Sequence, residues 1–388
     1  MFGVSSSHKK KQVAVVVDIG SGHVGYALVE VRGKEIPIML AYARSVLPFE
    51  ERTPAQTKSA ILSLVGEMCK KAAETYSGLR AQKSLPPISA SYAIFQGPWA
   101  RSEISRAETA FEIDRRINGE MIEGLGRHAL ESANKLDTKN LFEAAVIRVD
   151  LNGYPTLKPL GKQAHAIAVS TLISECEPDI STKVEEILKG SFPSAKPNLR
   201  SRVCMLLSAL SEVKGQPRDS VIIDMENEAT NCIVVRHGLA TEHFLVPEGT
   251  RTILKRISKV MPEETLSLMR MVSRGTCSTP ECEKLNASLA LAEPDIVRVF
   301  GDALVTLIER RRLPNYLVLI AEPALSEWLS VLFSKIDFSQ FTITTRQFTP
   351  VALTPEGLRE SVLSTGTGID AGLLLAASFV NREEQSTG

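Results

Sequence analysis

Asp18-Ile19-Gly20-Ser21-Gly22-His23-Val24 sets a carboxylate beside a run of small residues. An Asp at a strand end can hold a hydrated Mg2+, which takes carboxylate and water ligands. Small residues next to it let backbone N–H groups approach phosphate oxygens closely. A second Asp turn, Asp224-Met225-Glu226-Asn227-Glu228-Ala229-Thr230-Asn231, follows about 206 residues later. Either turn alone is equally what a tight hairpin needs. Two of them facing across a cleft would clamp a nucleotide from both sides, with Asp18 and Asp224 as the metal ligands and Gly20, Ser21 and Gly22 at the phosphates.

Other chemistry is weaker. Cys277 and Cys282 stand five apart in a Ser-Thr-Pro loop, without the further paired ligands a zinc site needs. His23 follows the first turn and suits an anion or a strand edge equally. His128, His165 and His243 fall in helix or strand contexts and read as structural. Gln96, in Phe95-Gln96-Gly97-Pro98-Trp99, reads as a corner between elements rather than a water-orienting group. Glu309-Arg310-Arg311-Arg312 ends a helix, where cations complement the dipole. There is no P-loop and no Ser/His/Asp arrangement.

The elements that must position the two turns recur with them. Val13–Val17 is a short β-branched run, as expected of a strand buried on both faces. Val24–Val31 and Ile36–Arg44 continue it as a meander. Val221–Ile223, Cys232–Arg236 and Leu239–Val246 repeat the pattern, so an internal duplication is expected. A helix is predicted from Pro54 to Tyr76, with Ile61, Val65, Met68 and Ala72 on one face. Between the copies, Leu85-Pro86-Pro87 marks a boundary. Beyond it lie strands Ile88–Phe95 and Ala164–Ile173, a helix Arg115–Leu130, and a hairpin of Ala144–Val149 with Tyr154–Lys158 across Asn152-Gly153. Helices are also expected over Ser181–Leu188, Leu199–Val213 and Ile369–Val380, and short strands at Leu317–Ala321 and Phe341–Arg346.

With these motifs in this order, the chain resembles the actin-like ATPase superfamily, and within it the branch of FtsA and the pilus assembly protein PilM. Asp18–Val24 matches the first phosphate motif. Asp224–Asn231 matches the second in its Asp and in Thr230. Met1-Phe2-Gly3 with the lysines before the first strand, Thr230–Gly238 and Val246-Pro247-Glu248-Gly249 are similar to PilM. The resemblance implies an α/β, ribonuclease H-like duplicated, two-lobe fold with an inserted α+β SHS2-type subdomain. It implies ATP with Mg2+ as cofactor, with Thr230 and Asn231 joining the phosphate site. Residues 1–85, with 366–388 returning, would form the first lobe. Residues 86–172 would be the insertion, and 173–365 the second lobe, helical near 247–315.

The chain departs from the family pattern at two places. Glu226, Asn227 and Glu228 stand where glycines are usual, and carboxylates beside a triphosphate are repulsive unless a cation intervenes. Glu322-Pro323 stands where a Gly-Gly turn runs under the adenine, and Pro has a fixed φ and no N–H. The expectation is a degenerate site and at most a weak ATPase. The implied role is a scaffold that docks the tail of an inner-membrane protein in a pilus, secretion or division apparatus, with self-association open. The alternative is a working Mg-ATP-dependent ATPase or small-molecule kinase.

Composition bounds the rest. The chain has 388 residues, 44% hydrophobic and 23% charged, enough for a large core. Its 45 Lys plus Arg balance 45 Asp plus Glu, so no overall field draws in nucleic acid or anionic lipid. The six scattered cysteines do not form a disulfide framework, and a reducing compartment is expected. No apolar run reaches membrane-spanning length. The polar end Asn381–Gly388 lacks the apolar stripe of an interfacial helix. A cytoplasmic protein is expected, peripheral to the inner membrane through a protein partner, without direct membrane insertion.

Overall fold

The computed structural model describes residues 12–386 apart from 134, 212, 258–261, 274, 309–311, 336–341, 345, 365 and 367. Met1-Phe2-Gly3, the lysines at 9–11, Glu309-Arg310-Arg311, Phe341 and the last two residues therefore lie outside the described residues.

The chain opens with a meander: β1 (Gln12–Ile19), β2 (His23–Val31) and β3 (Ile38–Val46). Helix α1 (Pro54–Gln82) follows, its start fixed by a capping box in which Thr53 and Gln56 bond each other's backbone. Strand β4 (Ile88–Phe95) then returns parallel to β1. Next come β5 (Ala100–Arg116), α2 (Gly119–Glu131), β6 (Leu141–Leu151), β7 (Tyr154–Pro155) and β8 (Gln163–Cys176). These strands make a separate four-stranded sheet in the order β5-β8-β6-β7. Helix α3 (Pro178–Ser191), β9 (Lys196–Ser201) and α4 (Arg202–Leu210) lead back.

The second copy runs β10 (Ser220–Met225), β11 (Thr230–Arg236), β12 (Leu239–Val246), α5 (Thr250–Ile257), α6 (Pro262–Ser273), α7 (Pro280–Ile308), β13 (Tyr316–Ile320), α8 (Pro323–Lys335) and β14 (Thr349–Ala352). The chain ends with β15 (Leu363–Ser364), which pairs with β3, and α9 (Ala371–Ser386), which packs on β1 and β2. The sheets run β15-β3-β2-β1-β4-β9 and β12-β11-β10-β13-β14. The three antiparallel strands followed by two parallel ones occur in the same order in both, so the duplication read from the sequence is a duplication of topology.

Alternation along the central strands sets the layers. Val13, Val15 and Val17 pack outward against α1 and α3, while Ala14 and Val16 face a core shared with α4 and α9. Val221 and Ile223 likewise pack against α5–α8, and Ile222 faces the shared core. Asp18 and Asp224 continue the inward series of their strands and so point between the lobes.

Several sequence expectations are corrected. Strand β4 lies inside the first large sheet, between β1 and β9, and not in the inserted sheet, which begins after Gly97-Pro98. The helix expected from Arg115 starts at Gly119, because β5 runs to Arg116 and Asn118 caps the helix through Met121 N–H. Strand β5 escaped detection because much of it is exposed and charge-rich, leaving no apolar alternation. The helix expected from Leu199 starts at Arg202, since Lys196–Ser201 pairs with β4 and Ser201 caps the helix. Of the strand expected over Phe341–Arg346, Phe341 and Thr345 lie outside the described residues and Thr342 forms a bridge to Leu313, while the strand paired with β13 is Thr349–Ala352. Ile88–Phe95 and the strand containing Ala164–Ile173 are both interior, so neither offers an edge to which a peptide could add; the sheet edges near the insertion are β9, β5 and β7.

Candidate functional site at the interlobe cleft

Asp18 sits opposite Gly25 on β2 and beside Ile94 on β4. Asp224 sits opposite Asn231 on β11 and beside Ile320 on β13. The two carboxylates thus hold equivalent places in the two copies, both buried. Between them lies the Arg202 side chain, projected from the first residue of α4. Its Nε and Nη2 donate to Asp224 Oδ2 and Oδ1 at 3.1 and 2.9 Å, and Nη1 is 3.7 Å from Asp18 Oδ1. Arg44 on β3 completes the cluster: its Nη2 donates to Asp18 Oδ2 at 2.8 Å and to Asp370 Oδ1 at 3.0 Å. Asp370 also accepts from Leu373 N–H, capping α9. Gln96 Nε2 donates to Asp18 Oδ1 at 2.7 Å.

Burial opposes ionisation of Asp18, but His23, Arg202 and Arg44 outweigh it and hold the carboxyl well below the usual range. Burial also opposes the Arg202 charge, which Asp224 and Asp18 secure. Glu226 is the reverse case. Burial, and then the Asp224 charge, push its carboxyl well above the usual range, and Asn231 Nδ2 donates to it at 2.8 Å.

The predicted site residues divide. Asp18, Ser21, Gly22 and Asp224 line one interlobe cleft of about 590 Å3. Gly20 uses its N–H on His23 O and its carbonyl on Trp99 Nε1. Thr230 turns away: its hydroxyl donates to Glu248 O at 2.6 Å, on the outer side of its strand. Asn231 faces inward yet is spent on Glu226 and on His243 Nε2, 3.1 Å away. Glu228 pairs with Arg251, and Glu322 with Arg270 across to α6. At the mouth, Arg251 stacks on Phe49 and donates to Glu50 O, joining the lobes.

Arg44, Arg202 and Asp370 were missed from sequence, while His243, read there as structural, holds Ser102 O and Asn231 beside the cleft. The one available signal was Arg202 itself, a cation directly before the apolar run Val203–Leu207 with a capping Ser ahead of it. Its partners lie in distant segments. Cys277, in the loop before α7, is bonded to Cys282 in the first turn of that helix, and Cys69, Cys176, Cys204 and Cys232 are free. Among the described residues, no cluster of three or more His, Cys, Asp or Glu could hold a metal ion. Nor is any helix there long and apolar enough to cross a membrane.

The arrangement of two like-ordered sheets matches a known structure over nearly the whole chain. A chain of a PilM-PilN type IV pilus biogenesis complex superposes with a TM-score of 0.56 at 14% identity, covering 97% of this chain and 98% of that one. The fold is actin-like. The ethanolamine utilization protein EutJ from Carboxydothermus hydrogenoformans aligns over 96% of this chain and 89% of its own, with a TM-score of 0.41 and 11% identity. No protein-family profile matches the sequence, and no curated protein is recognisably similar to it. The resemblance to the actin-like superfamily, on its PilM side, is thus upheld at the level of fold.

Proposed function

We propose that this actin-like protein is a scaffold that docks the cytoplasmic tail of an inner-membrane protein, and that its cleft is closed on itself instead of on a nucleotide. The observation that carries this reading is Arg202, whose guanidinium lies between Asp18 and Asp224. Mg-ATP in an actin-like cleft needs those two carboxylates turned to a hydrated cation, and two turns held apart around the phosphates. Here both carboxylates face an internal cation, and Gly22 of one turn stands against Asn227 of the other. Glu226 lies buried beside Asp224, and Glu322-Pro323 opens α8 under the adenine position. These residues do not fit Mg-ATP.

The protein matched by fold was solved with a partner, PilN. By analogy, the tail of a membrane protein would add to the open edge of β9, next to the inserted sheet. Calorimetric titration of Mg-ATP with a phosphate-release assay tests the closed cleft; tight binding with brisk turnover overturns it. Vesicle flotation tests the docking: the protein should float only with vesicles carrying its partner, and removing residues 100–176 should abolish that recruitment.

A second reading, a working ATPase or kinase, is favoured by one feature. The cleft of about 590 Å3 still reaches Asp18, Ser21, Gly22 and Asp224.

A further inference from the structure

Ser201 and Arg202 are adjacent, yet they serve different parts of the molecule. Ser201 belongs to the inserted sheet's seat. Its N–H donates to Glu143 Oε2 of β6 at 3.3 Å, and its hydroxyl donates to the same oxygen. Ser174 of β8 donates to that oxygen too, at 3.1 Å, and shares a 2.9 Å hydrogen bond with Ser102 of β5. One carboxylate therefore gathers strands β6 and β8, and through Ser174 also β5, onto the N-cap of α4. Arg202, the next residue, belongs to the cleft through Asp224 and Asp18.

A second path joins the same two places. His243 Nδ1 lies 2.9 Å from Ser102 O of the inserted sheet, and its Nε2 meets Asn231, which donates to Glu226 and, at 3.5 Å, to Asp224. Every side chain on these paths is at least largely buried. Each carries charge or hydrogen bonds in a low-dielectric setting, where an unmade bond is costly.

We propose that Ser201-Arg202 is a coupling joint: the seat of the inserted sheet and the closure of the interlobe cleft are one cooperative unit. The physical reason is the rigidity of a helix start. Ser201 accepts from Cys204 N–H, which fixes it to the first turn of α4. A shift of the Arg202 backbone toward either Asp carries Ser201 with it, and so moves the donors that Glu143 accepts from. Arg202 Nη1 faces Asp18 Oδ1 at 3.7 Å and Glu143 Oε1 faces Arg200 Nε at 3.8 Å, so charge pairing reinforces the joint at both ends. Coupling of this kind is reciprocal. The claim rests on these contacts alone and stands apart from whether a tail docks on β9.

Amide hydrogen exchange on the full chain tests it. Asp224→Asn keeps the shape of the site and weakens the grip on Arg202; Asp224 itself touches no residue of the inserted sheet in the hydrogen bonds above. Exchange should quicken about tenfold or more in β5, β6 and β8 while α7 is unchanged. Glu143→Gln, near-isosteric, should quicken exchange at the β10–β11 turn by a similar factor. The double variant should show less than the product of the two single effects. Changes confined to the mutated lobe, a uniform rise over the whole chain, or multiplicative effects in the double variant would each overturn the proposal. Should Asp224→Asn not fold, Arg202→Lys, which keeps the charge and loses the fork, carries the same expectation.

Discussion

A Cβ placed on Gly22 would lie 2.5 Å from the Asn227 side-chain nitrogen. Those residues belong to the two Asp turns, so the turns are in contact across the lobes at a point where only glycine fits. Gly22→Ala should therefore wedge the cleft open and destabilise the fold by about 1–3 kcal/mol, the usual cost of overpacking. Asn227 is the far end of a side chain, so Gly22→Ala with Asn227→Ala should regain most of that loss. Urea unfolding of the three variants checks this.

Gly249 should tolerate alanine far less. A Cβ there would meet Asn227 O at 2.6 Å, Glu226 O at 2.7 Å and Ala229 N at 2.7 Å. All three are backbone atoms of the second Asp turn, and no side chain can swing aside. Gly249→Ala is expected to cost more than Gly22→Ala, with no single second substitution restoring it. Thermal melts of the two single variants rank them; equal melting temperatures would sink the argument.

Arg202→Ala removes the cation between Asp18 and Asp224. Leaving a buried charge without its partner typically costs about 3–5 kcal/mol. Arg202→Met combined with Asp224→Asn should lose less than Arg202→Ala alone, because one orphaned charge is removed as well. Denaturant titration measures both, and a loss below about 1 kcal/mol for Arg202→Ala would show that water replaces the guanidinium freely.

His243 gives a pH signature. Burial pushes its ring down to about 4, against a smaller opposing effect of the bond to Ser102. The unfolded chain protonates this ring near 6.5, so between about pH 6.5 and 4 the unfolded state binds more protons. The contribution is complete above the unfolded value and is lost as the pH falls toward 4. His243→Gln should flatten that stretch of the stability curve, by up to about 1.4 kcal/mol per pH unit where the slope is steepest. Urea midpoints at several pH values decide it. An unchanged slope would mean that the ring titrates alike in both states.

How much was legible follows from the range of each interaction. The strands Val13–Val17 and Val221–Ile223 declared themselves because a strand buried on both faces has to be apolar at every position. The Asp at the end of each then stood out, and so did the duplication. Strand β5 did not, since a charged edge strand obeys no pattern that one segment alone can display.

By itself, then, the sequence determined two meanders of one topology, each delivering an Asp inward, because β alternation is local and has a period of two. Tertiary structure alone decided what those carboxylates face. Arg44, Arg202 and Asp370 come from three separate segments, and Thr230 turned outward although its neighbour Asn231 turned in. Charges that meet across such separations are brought together by the docking of α4 and α9 between two sheets, and no spacing along the chain records it.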